Sequence, residues 1–343
     1  MPIIDYKCPN CGSDMAFDSA TGTLLCGSCG RSDDIERIAD PLVNLVFTEG
    51  EVREYHCRSC GAVIMTEAET TATLCSFCGS AVVLADRLSG KLAPAKVIPF
   101  TISKEEAIQA FKKWCKNGRL TPRGFMSANR IKSITGMYVP FWLYDLHNKV
   151  EVHGQGTKVR SYTSGDYEYT ETSHFRIYRK IRVNYSGLPV DAAEKMNDEL
   201  MDKLEPFHYD QLKIFKTPYL AGYIAEKYSY DHKQLIPRMK GRVSEYIDDY
   251  IQSTVSEYSS VSITDRPIET HIKQADYVLL PVWVIHYNHK NLEHSFAMNG
   301  QTGKVVGKPP ISKAKVTAWF AGISGVSLLS LKLISWMIGG MFW

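Results

Sequence analysis

The spacing of apolar residues divides the chain into three regions. In the first 90 residues, short apolar segments alternate with pairs of cysteines. Between 91 and 312, helical patterns and strand patterns follow one another, and from Trp319 to Trp343 the chain is almost continuously apolar. These patterns predict an α+β fold with a cysteine-rich N-terminal part, a central domain of antiparallel sheet and helices, and a C-terminal segment that could cross a membrane.

Three helices are predicted in the central region. Ser103 precedes Glu105 and Glu106, which is typical of a capped first turn, and Gly118 ends that pattern. Apolar residues recur at helical spacing in 191–204 and in 231–258. The residues predicted to face inward are Ala193, Met196, Leu200 and Leu204 in the first of these segments, and Val243, Ile247, Tyr250, Ile251 and Val255 in the second.

Strands are predicted on either side of these helices. Apolar and polar residues alternate from Ile134 to Tyr185, with glycines at 154, 156 and 165, which favours an antiparallel meander of short strands. Strands return between Ala275 and Met298. Both stretches contain Pro-x-Trp followed by an aliphatic residue, beginning at Pro140 and at Pro281. The shared sequence favours a duplicated central domain.

Eight of the nine cysteines form four C-x-x-C pairs, each followed by glycine, within the first 79 residues. In each half of this region 14 residues separate the two pairs, so that 8–29 repeats as 57–78. Two C-x-x-C turns supply the four sulfurs of a tetrahedral zinc site. We therefore predict two zinc ribbons with two structural Zn²⁺ ions, one held by Cys8, Cys11, Cys26 and Cys29 and the other by Cys57, Cys60, Cys75 and Cys78.

Paired cysteines have two other common uses. A disulfide framework requires an oxidising compartment, and residues 1–7 lack the pattern of a signal peptide. A thioredoxin-like redox site needs a C-x-x-C that opens a helix after a strand, whereas these pairs come in matched sets. Since four thiolates close the coordination sphere, we expect the zinc to be structural and not catalytic.

The C-terminal segment 319–343 contains a single charged residue, Lys332. As a helix it would be about 37 Å long, which exceeds the bilayer core of about 30 Å. Basic residues just before a span favour the cytoplasm for that flank. We predict a single-pass protein of the cell membrane with a cytoplasmic body, the alternative being an interfacial or buried helix. The flanking basic residues are Lys304, Lys308, Lys313 and Lys315.

The predicted domain organisation follows from these regions. It comprises zinc ribbon 1 at 1–40, zinc ribbon 2 at 41–90, an α+β cytoplasmic domain at 91–312, and a basic flank with the membrane anchor at 313–343.

Charge is unevenly distributed along the chain. Residues 1–90 carry a net charge of −7 and the rest a net +10. Acidic ribbons do not suit nucleic acid, whose phosphates require a basic face. Residues 91–149 hold 11 basic and 3 acidic side chains, which favours a solvated face, with an anionic-lipid patch as the alternative.

No enzyme motif is found in the sequence. It contains no G-x-x-x-x-G-K-[ST], no H-E-x-x-H and no G-x-S-x-G. His286, His289 and His294 cluster in sequence, but positions 286 and 289 would point to opposite faces of a strand. We therefore expect that the protein is not an enzyme.

Several segments together carry a family resemblance. They are the two C-x-x-C-G ribbons, Tyr138–Trp142, Leu280–Trp283, Phe296–Lys304 and the terminal apolar span. In this combination the chain resembles the bacterial TFIIB-type zinc-ribbon membrane proteins over essentially its whole length. The resemblance implies a membrane anchor that works with a second membrane protein. It also implies recruitment of a PspA-like, ESCRT-III-type coiled-coil protein and a flotillin-like SPFH protein in membrane-stress maintenance.

Three functional hypotheses result. The first is a membrane-anchored cytoplasmic scaffold whose acidic ribbons would suit a basic partner surface. The alternative is a zinc-ribbon protein that binds nucleic acid or assists replication, although the acidic ribbons make nucleic-acid binding unfavourable. A third hypothesis is a membrane-tethered enzyme that uses the region of His286.

Overall fold

The computed structural model describes residues 3–38, 54–61, 63–66, 70–75, 80–84, 93–117, 120–122, 134–289, 292–309 and 311–339. These residues form strands and helices in the mixed order predicted for an α+β protein. The strands are β1 (Ile3–Ile4), β2 (Met15–Asp18), β3 (Thr23–Cys26), β4 (Ser32–Asp33), β5 (Glu54–His56), β6 (Val63–Met65), β7 (Thr70–Leu74), β8 (Ala81–Leu84), β9 (Lys96–Val97), β10 (Thr135–Ser164), β11 (Tyr167–Asp191), β12 (Lys213–Ile214), β13 (Ile224–Glu226), β14 (Ser260–Asp265), β15 (Ile268–His289), β16 (Leu292–Asn299) and β17 (Val305–Gly307). The α-helices are α1 (Lys104–Asn117), α2 (Asp198–Lys203), α3 (Ile236–Thr254) and α4 (Lys313–Gly339).

A large sheet lies at the centre of the molecule. Its main order is β1-β8-β7-β13-β10-β15-β16-β17, with β11 and β14 paired to β10, and β9 paired to β15 and β12. The long strands pair antiparallel, while β13 and β9 each add a short parallel contact. The N-terminal region adds a three-stranded sheet, β2-β3-β4, and the pair β5-β6. The predicted fold class is therefore confirmed.

A β-α-β-β unit occurs twice in the central domain. The first unit consists of β9, α1, β10 and β11, and the second of β13, α3, β15 and β16, with β14 inserted before β15. The short first strand of each unit pairs in parallel with the long strand of the other unit. The two long strands pair with each other, with Tyr138 opposite Pro281. The two Pro-x-Trp segments are thus neighbours in the middle of the sheet.

The second hairpin strand of each unit ends in the same way. The N–H of the residue after Asp191 donates to the carbonyl of Pro140 at 3.0 Å, and the N–H after Asn299 donates to the carbonyl of Pro281 at 2.8 Å. Asp191 and Asn299 are both buried, and the side chain of each accepts from the N–H two residues later. These matching contacts support a duplicated central domain. Burial raises the pKa of Asp191 to about 7, which brings its carboxyl group closer to the uncharged state of the Asn299 amide in the second unit.

The predicted meander of short strands between 134 and 185 is wrong, because this region forms one long hairpin. β10 has 30 residues and β11 has 25. Gly154 and Gly156 lie inside β10, where a Cβ would come within 2.7 Å of the carbonyl of Ser262 and 2.8 Å of the ring of Tyr258. They permit close approach of neighbouring chain and do not end the strand. Gly165, with φ of +64°, forms the turn.

Helix α1 agrees with its predicted start. The N–H of Glu106 donates to the hydroxyl of Ser103 at 3.2 Å, and the N–H of Ser103 donates to the Glu106 carboxylate at 2.8 Å. This is a reciprocal capping box. Ala107 and Phe111 are buried, while Gly118 lies outside the described residues.

The other two predicted helices are too long. Asp191 belongs to β11, and α2 begins only after Asn197, whose side chain accepts from the N–H of Leu200 at 3.0 Å. Helix α3 is shorter than 231–258, and Tyr250 is 49% exposed although it was predicted to face inward. Ile247 and Ile251 fill the space against the sheet at that end of α3, which leaves Tyr250 in solvent.

The hydrophobic core crosses the predicted boundary between ribbon 1 and the central domain. One cluster joins Phe17 and Leu24 of the ribbon to Phe100, Tyr138 and Trp283 of the large sheet. The division into segments 1–40, 41–90, 91–312 and 313–343 stays a prediction, but the first three of these parts share packing and strand pairing.

Helix α4 begins earlier than the predicted apolar segment, and residues 340–343 of that segment lie outside the described residues. From Lys313 to Trp336 it is long and apolar enough to cross a membrane. Up to Trp336 most of its side chains are exposed, for example Phe320 at 73%, and Lys332 is exposed too. Its start is tied to the body, since the Nζ of Lys315 donates to the carbonyl of Thr121 at 2.7 Å.

Candidate metal centres

The first cysteine cluster is built from two tight turns. The N–H of Cys8 donates to the carbonyl of Ser13, and the N–H of Gly12 donates to the carbonyl of Cys8, both at 2.8 Å. Cys26 and Gly30 repeat this arrangement. Both glycines have φ of +73°, a left-handed conformation that residues with a Cβ rarely adopt. The glycine after each C-x-x-C pair is therefore required for the turn.

The four sulfurs of this cluster are spaced for a tetrahedral metal ion. All four Sγ atoms lie within 4.8 Å of one another. The Sγ atoms of Cys8 and Cys29 are 3.5 Å apart, as are those of Cys11 and Cys26. Zinc–sulfur bonds of about 2.3 Å place tetrahedral sulfurs about 3.8 Å apart. A disulfide would need about 2.05 Å, so the geometry fits zinc and excludes a disulfide between these pairs.

Backbone N–H groups favour the thiolate form at the exposed positions. The N–H of Arg31, assisted by the side chain of Asn10 and the thiol of Cys8, lowers the pKa of Cys29 to about 6. The side-chain hydroxyl of Ser13, together with its backbone N–H, lowers the pKa of Cys11. Because zinc binds thiolate and not thiol, these hydrogen bonds prepare Cys11 and Cys29 for the metal.

The second cluster repeats the first as far as it is described. The N–H of Gly61 donates to the carbonyl of Cys57 at 2.7 Å, and Gly61 has φ of +75°. The Sγ atoms of Cys57, Cys60 and Cys75 lie within 4.8 Å of one another, and those of Cys60 and Cys75 are 3.7 Å apart. Cys78 lies outside the described residues, so its role as the fourth ligand stays a prediction.

The two ribbons contact each other through a polar cluster around Asp14. Its carboxylate accepts from Lys7 and, at 2.6 Å, from the hydroxyl of Ser80, and Lys7 also donates to the hydroxyl of Ser59 at 2.7 Å. Partial burial acts to raise the pKa of Asp14, but the hydrogen bonds from Lys7 and Ser80 outweigh it and lower that pKa. Sequence reasoning missed this cluster, because Asp14 and Ser80 are 66 positions apart and neither belongs to a motif.

Ribbon 1 also packs against the central domain. The ring of Phe17 meets Tyr219 edge-on at 5.5 Å between centroids and lies 6.3 Å from Tyr223. At the rim, Glu36 and Lys216 form an ion pair of 2.7 Å. The ribbon is therefore fixed to the body by an aromatic contact with a charged contact beside it.

This arrangement can hold metal but offers it no free coordination position. Four thiolates complete the tetrahedral sphere of Zn²⁺ in the first cluster, so the ion would act by closing the loops. His56 ends β5 and is exposed. The side chains of His286, His289 and His294, and that of Cys115, lie outside the described part, so the histidine hypothesis is not tested.

Comparison with known proteins agrees with this geometry. A family model for the zinc-binding domain of TFIIB matches residues 6–40. Over 340 residues the chain is 63% identical to YdjG of Bacillus subtilis (strain 168). The aligned region covers 99% of this chain and all of YdjG. The chain belongs to the YdjG family. The predicted resemblance is thus confirmed, and the cysteine clusters of this YdjG family member are supported as zinc sites. No solved structure matches the chain.

Proposed function

We propose that this protein is a membrane-anchored cytoplasmic scaffold that recruits partner proteins to the membrane. The observation that carries the proposal is α4, which exposes apolar side chains from Val316 to Trp336 while its first turn is bonded to the body. Exposed apolar surface of this extent is unfavourable in water and favourable in a bilayer. Burial of α4 in lipid would hold the sheet and ribbons at the membrane surface.

The charge of the segment before α4 and the chemistry of the cysteines both favour a cytoplasmic location for the body of the protein. Lys308 and Lys313 precede the apolar part of α4, in agreement with the positive-inside rule. Clusters of reduced thiolates also suit the reducing cytoplasm. Lys332 within the span costs about 2.5–3.5 kcal/mol, which the surrounding leucines and isoleucines can offset.

The proposed partners are proteins, and the proposed role involves no catalysis. The N-terminal region carries a net charge of −7 over residues 1–90, which would attract a basic partner surface. Family resemblance suggests a second membrane protein, a PspA-like coiled-coil protein of the ESCRT-III type and a flotillin-like SPFH protein, acting in membrane-stress maintenance. The zinc ions would keep the acidic ribbons folded for this contact.

Affinity purification from detergent-solubilised membranes tests the proposal. The tagged full-length chain is compared with a variant that ends at Ala314 and with Cys8→Ser in the full-length chain. We expect the full-length chain in the membrane fraction with PspA-like and SPFH proteins bound, the shortened chain in the soluble fraction, and weaker recovery of partners with Cys8→Ser. Recovery of DNA and replication proteins from both full-length and shortened chains would instead support the nucleic-acid hypothesis and contradict the scaffold.

A further inference from the structure

The hairpin of β10 and β11 extends beyond the rest of the sheet. β14 pairs with β10 only as far as Thr157, whereas β10 and β11 pair with each other up to Ser164 and Tyr167. Residues 158–173, called the arm here, therefore form a two-stranded ribbon. Most of its side chains are exposed on both faces, and Tyr167 is 71% exposed. A two-stranded hairpin alone is only marginally stable in water, so the arm is suited to pairing with a further strand.

The outer edge of β11 is available for such pairing. Within the described residues β11 pairs only with β10. Its edge is first covered near Pro189, whose carbonyl accepts a hydrogen bond from Arg242 of α3. From Tyr167 to about that point, no other strand of the described chain lies beside it. A strand edge of this kind presents N–H and C=O groups to an additional strand.

Charges along β11 are segregated by position. Glu168 and Glu171 lie near the turn, while Arg179 and Arg182 lie farther from it, with Lys180 between them. In the part of the chain that the structure describes, Glu168, Glu171 and Arg182 form no ion pair, and Arg179 lies 3.7 Å from Glu257. An antiparallel copy of the same strand reverses this order and sets acidic residues against basic ones. The edge is therefore self-complementary in charge.

We propose that two copies of this chain pair antiparallel through their β11 edges. A two-fold axis normal to the sheet relates the two β11 strands, so opposed residues of the two copies point to the same face of the joined sheet. In this symmetric pairing, two residues that lie opposite each other are an even number of positions apart in the sequence. One such register sets Glu168 opposite Arg182 of the second copy and Glu171 opposite Arg179 of the second copy, each twice by symmetry. In that register Phe175, which is 40% exposed, faces its own counterpart at the axis.

The same register fits the available length of the edge. It brings Gly165, in the turn of one arm, beside Tyr185 of the other copy. That position adjoins the irregularity where the pairing of β10 with β11 shifts, between Tyr144 and Leu146. The two β11 strands thus pair over residues 167–183, and the contact ends next to this irregularity. An anionic lipid surface is a poorer occupant, because Glu168 and Glu171 would be repelled by it.

The pairing is independent of the proposed scaffold function, and a charge-reversal cycle tests it. The full-length protein in detergent is compared with Glu168→Arg, with Arg182→Glu and with the double variant, and the mass is measured by light scattering over a dilution series. We expect a dimer whose dissociation constant rises on the order of tenfold in each single variant, since two opposite-charge pairs become like-charge pairs. The double variant should regain the original affinity.

Failure of the double variant to regain affinity, or a monomer at all concentrations with the unsubstituted chain, would overturn the proposal. Cross-linking gives a second readout that does not depend on charge. Phe175→Cys at the axis should give a covalent dimer on mild oxidation, because directly opposed Cβ atoms lie about 4.5–5.5 Å apart. Thr163→Cys, exposed on the other strand of the arm, is the matched control and should not. Equal cross-linking of the two variants would contradict the proposed register.

Discussion

The two ribbons share one cysteine pattern but are attached to the molecule in different ways. Ribbon 1 keeps its own small sheet, β2-β3-β4, and joins the large sheet only through its short first strand, β1, which pairs with β8. The ring of Phe17 packs against the body, and the N–H of Phe17 donates to the carbonyl of Ala221 at 2.9 Å. In ribbon 2, β7 and β8 belong to the large sheet, where Ala72 pairs with Ala225 of β13. The same kind of cysteine cluster therefore lies in a largely separate module in ribbon 1 and next to strands of the large sheet in ribbon 2. Loss of each metal should have different consequences.

Metal loss gives the largest expected effect. Cys26→Ser and Cys75→Ser should each reduce zinc from two ions to one per chain, because three thiolates bind Zn²⁺ far less tightly than four. We expect Cys75→Ser to lower the unfolding temperature of the body more, because Cys75 directly follows β7, which pairs with β8 and with β13 in the large sheet. Metal analysis and thermal unfolding under reducing conditions measure both quantities.

The ninth cysteine provides the control for these variants. Cys115→Ser lies outside the two C-x-x-C sets and should retain two zinc ions. If Cys26→Ser lowered the unfolding temperature of the body as much as Cys75→Ser does, the difference in attachment between the ribbons would not affect the stability of the body. A single zinc ion in the unsubstituted protein would contradict the second site.

The aromatic contact of ribbon 1 gives the next largest effect. Phe17 is buried against Tyr219 and Tyr223, and its replacement by alanine should reduce the free energy of unfolding by about 3–5 kcal/mol. Both zinc ions should stay bound, because the cysteines are untouched. Denaturant unfolding with metal analysis checks this. Tyr250→Ala, at a half-exposed position on α3, is the control and should change stability by less than about 0.5 kcal/mol.

The local chemistry of the ribbons could be predicted from sequence, but their attachment could not. C-x-x-C-G specifies its own turn, because the glycine conformation and the sulfur positions arise within five residues. Contacts such as Phe17 with Tyr219 join positions about 200 residues apart and carry no periodic signal. The Pro-x-Trp repeat indicated duplication but not that the two copies would pair with each other.

The lengths of the strands also could not be predicted from the sequence pattern. Glycines at 154 and 156 predict that a strand ends there. In the structure they lie inside β10 and allow Ser262 and Tyr258 to pack closely against it. Whether a glycine ends a strand or admits a neighbour depends on a partner that is distant in sequence. For the same reason, the start of α2 was misplaced, because Asp191 pairs with Phe141 of β10 at the end of β11 and the N–H of Ala192 donates to the carbonyl of Pro140.

The contact between the ribbons should have a smaller effect than the aromatic one. Asp14→Asn removes the ion pair with Lys7 and should cost about 1 kcal/mol after screening at this partly exposed site. The pKa of Asp14 is lowered in the folded protein, so its contribution is present above pH 4 and is lost only as the pH falls through that lowered value. The difference between variant and parent should stay constant from pH 8 to about 5.5. A difference that grew or vanished in this interval would assign the effect to another group.

The rim pair of ribbon 1 should give the smallest effect. Glu36 is 60% exposed where it meets Lys216, and exposed ion pairs contribute between about 0 and 1 kcal/mol. The hydrogen bond and charge of Lys216 lower the pKa of Glu36, so the pair is formed at neutral pH. Glu36→Gln should therefore weaken ribbon 1 slightly at low ionic strength and have no effect in about 1 M salt, where the Debye length is about 3 Å. Limited proteolysis of ribbon 1 at both ionic strengths measures this. Persistence of the difference in high salt would mean that Glu36 does not act through its charge.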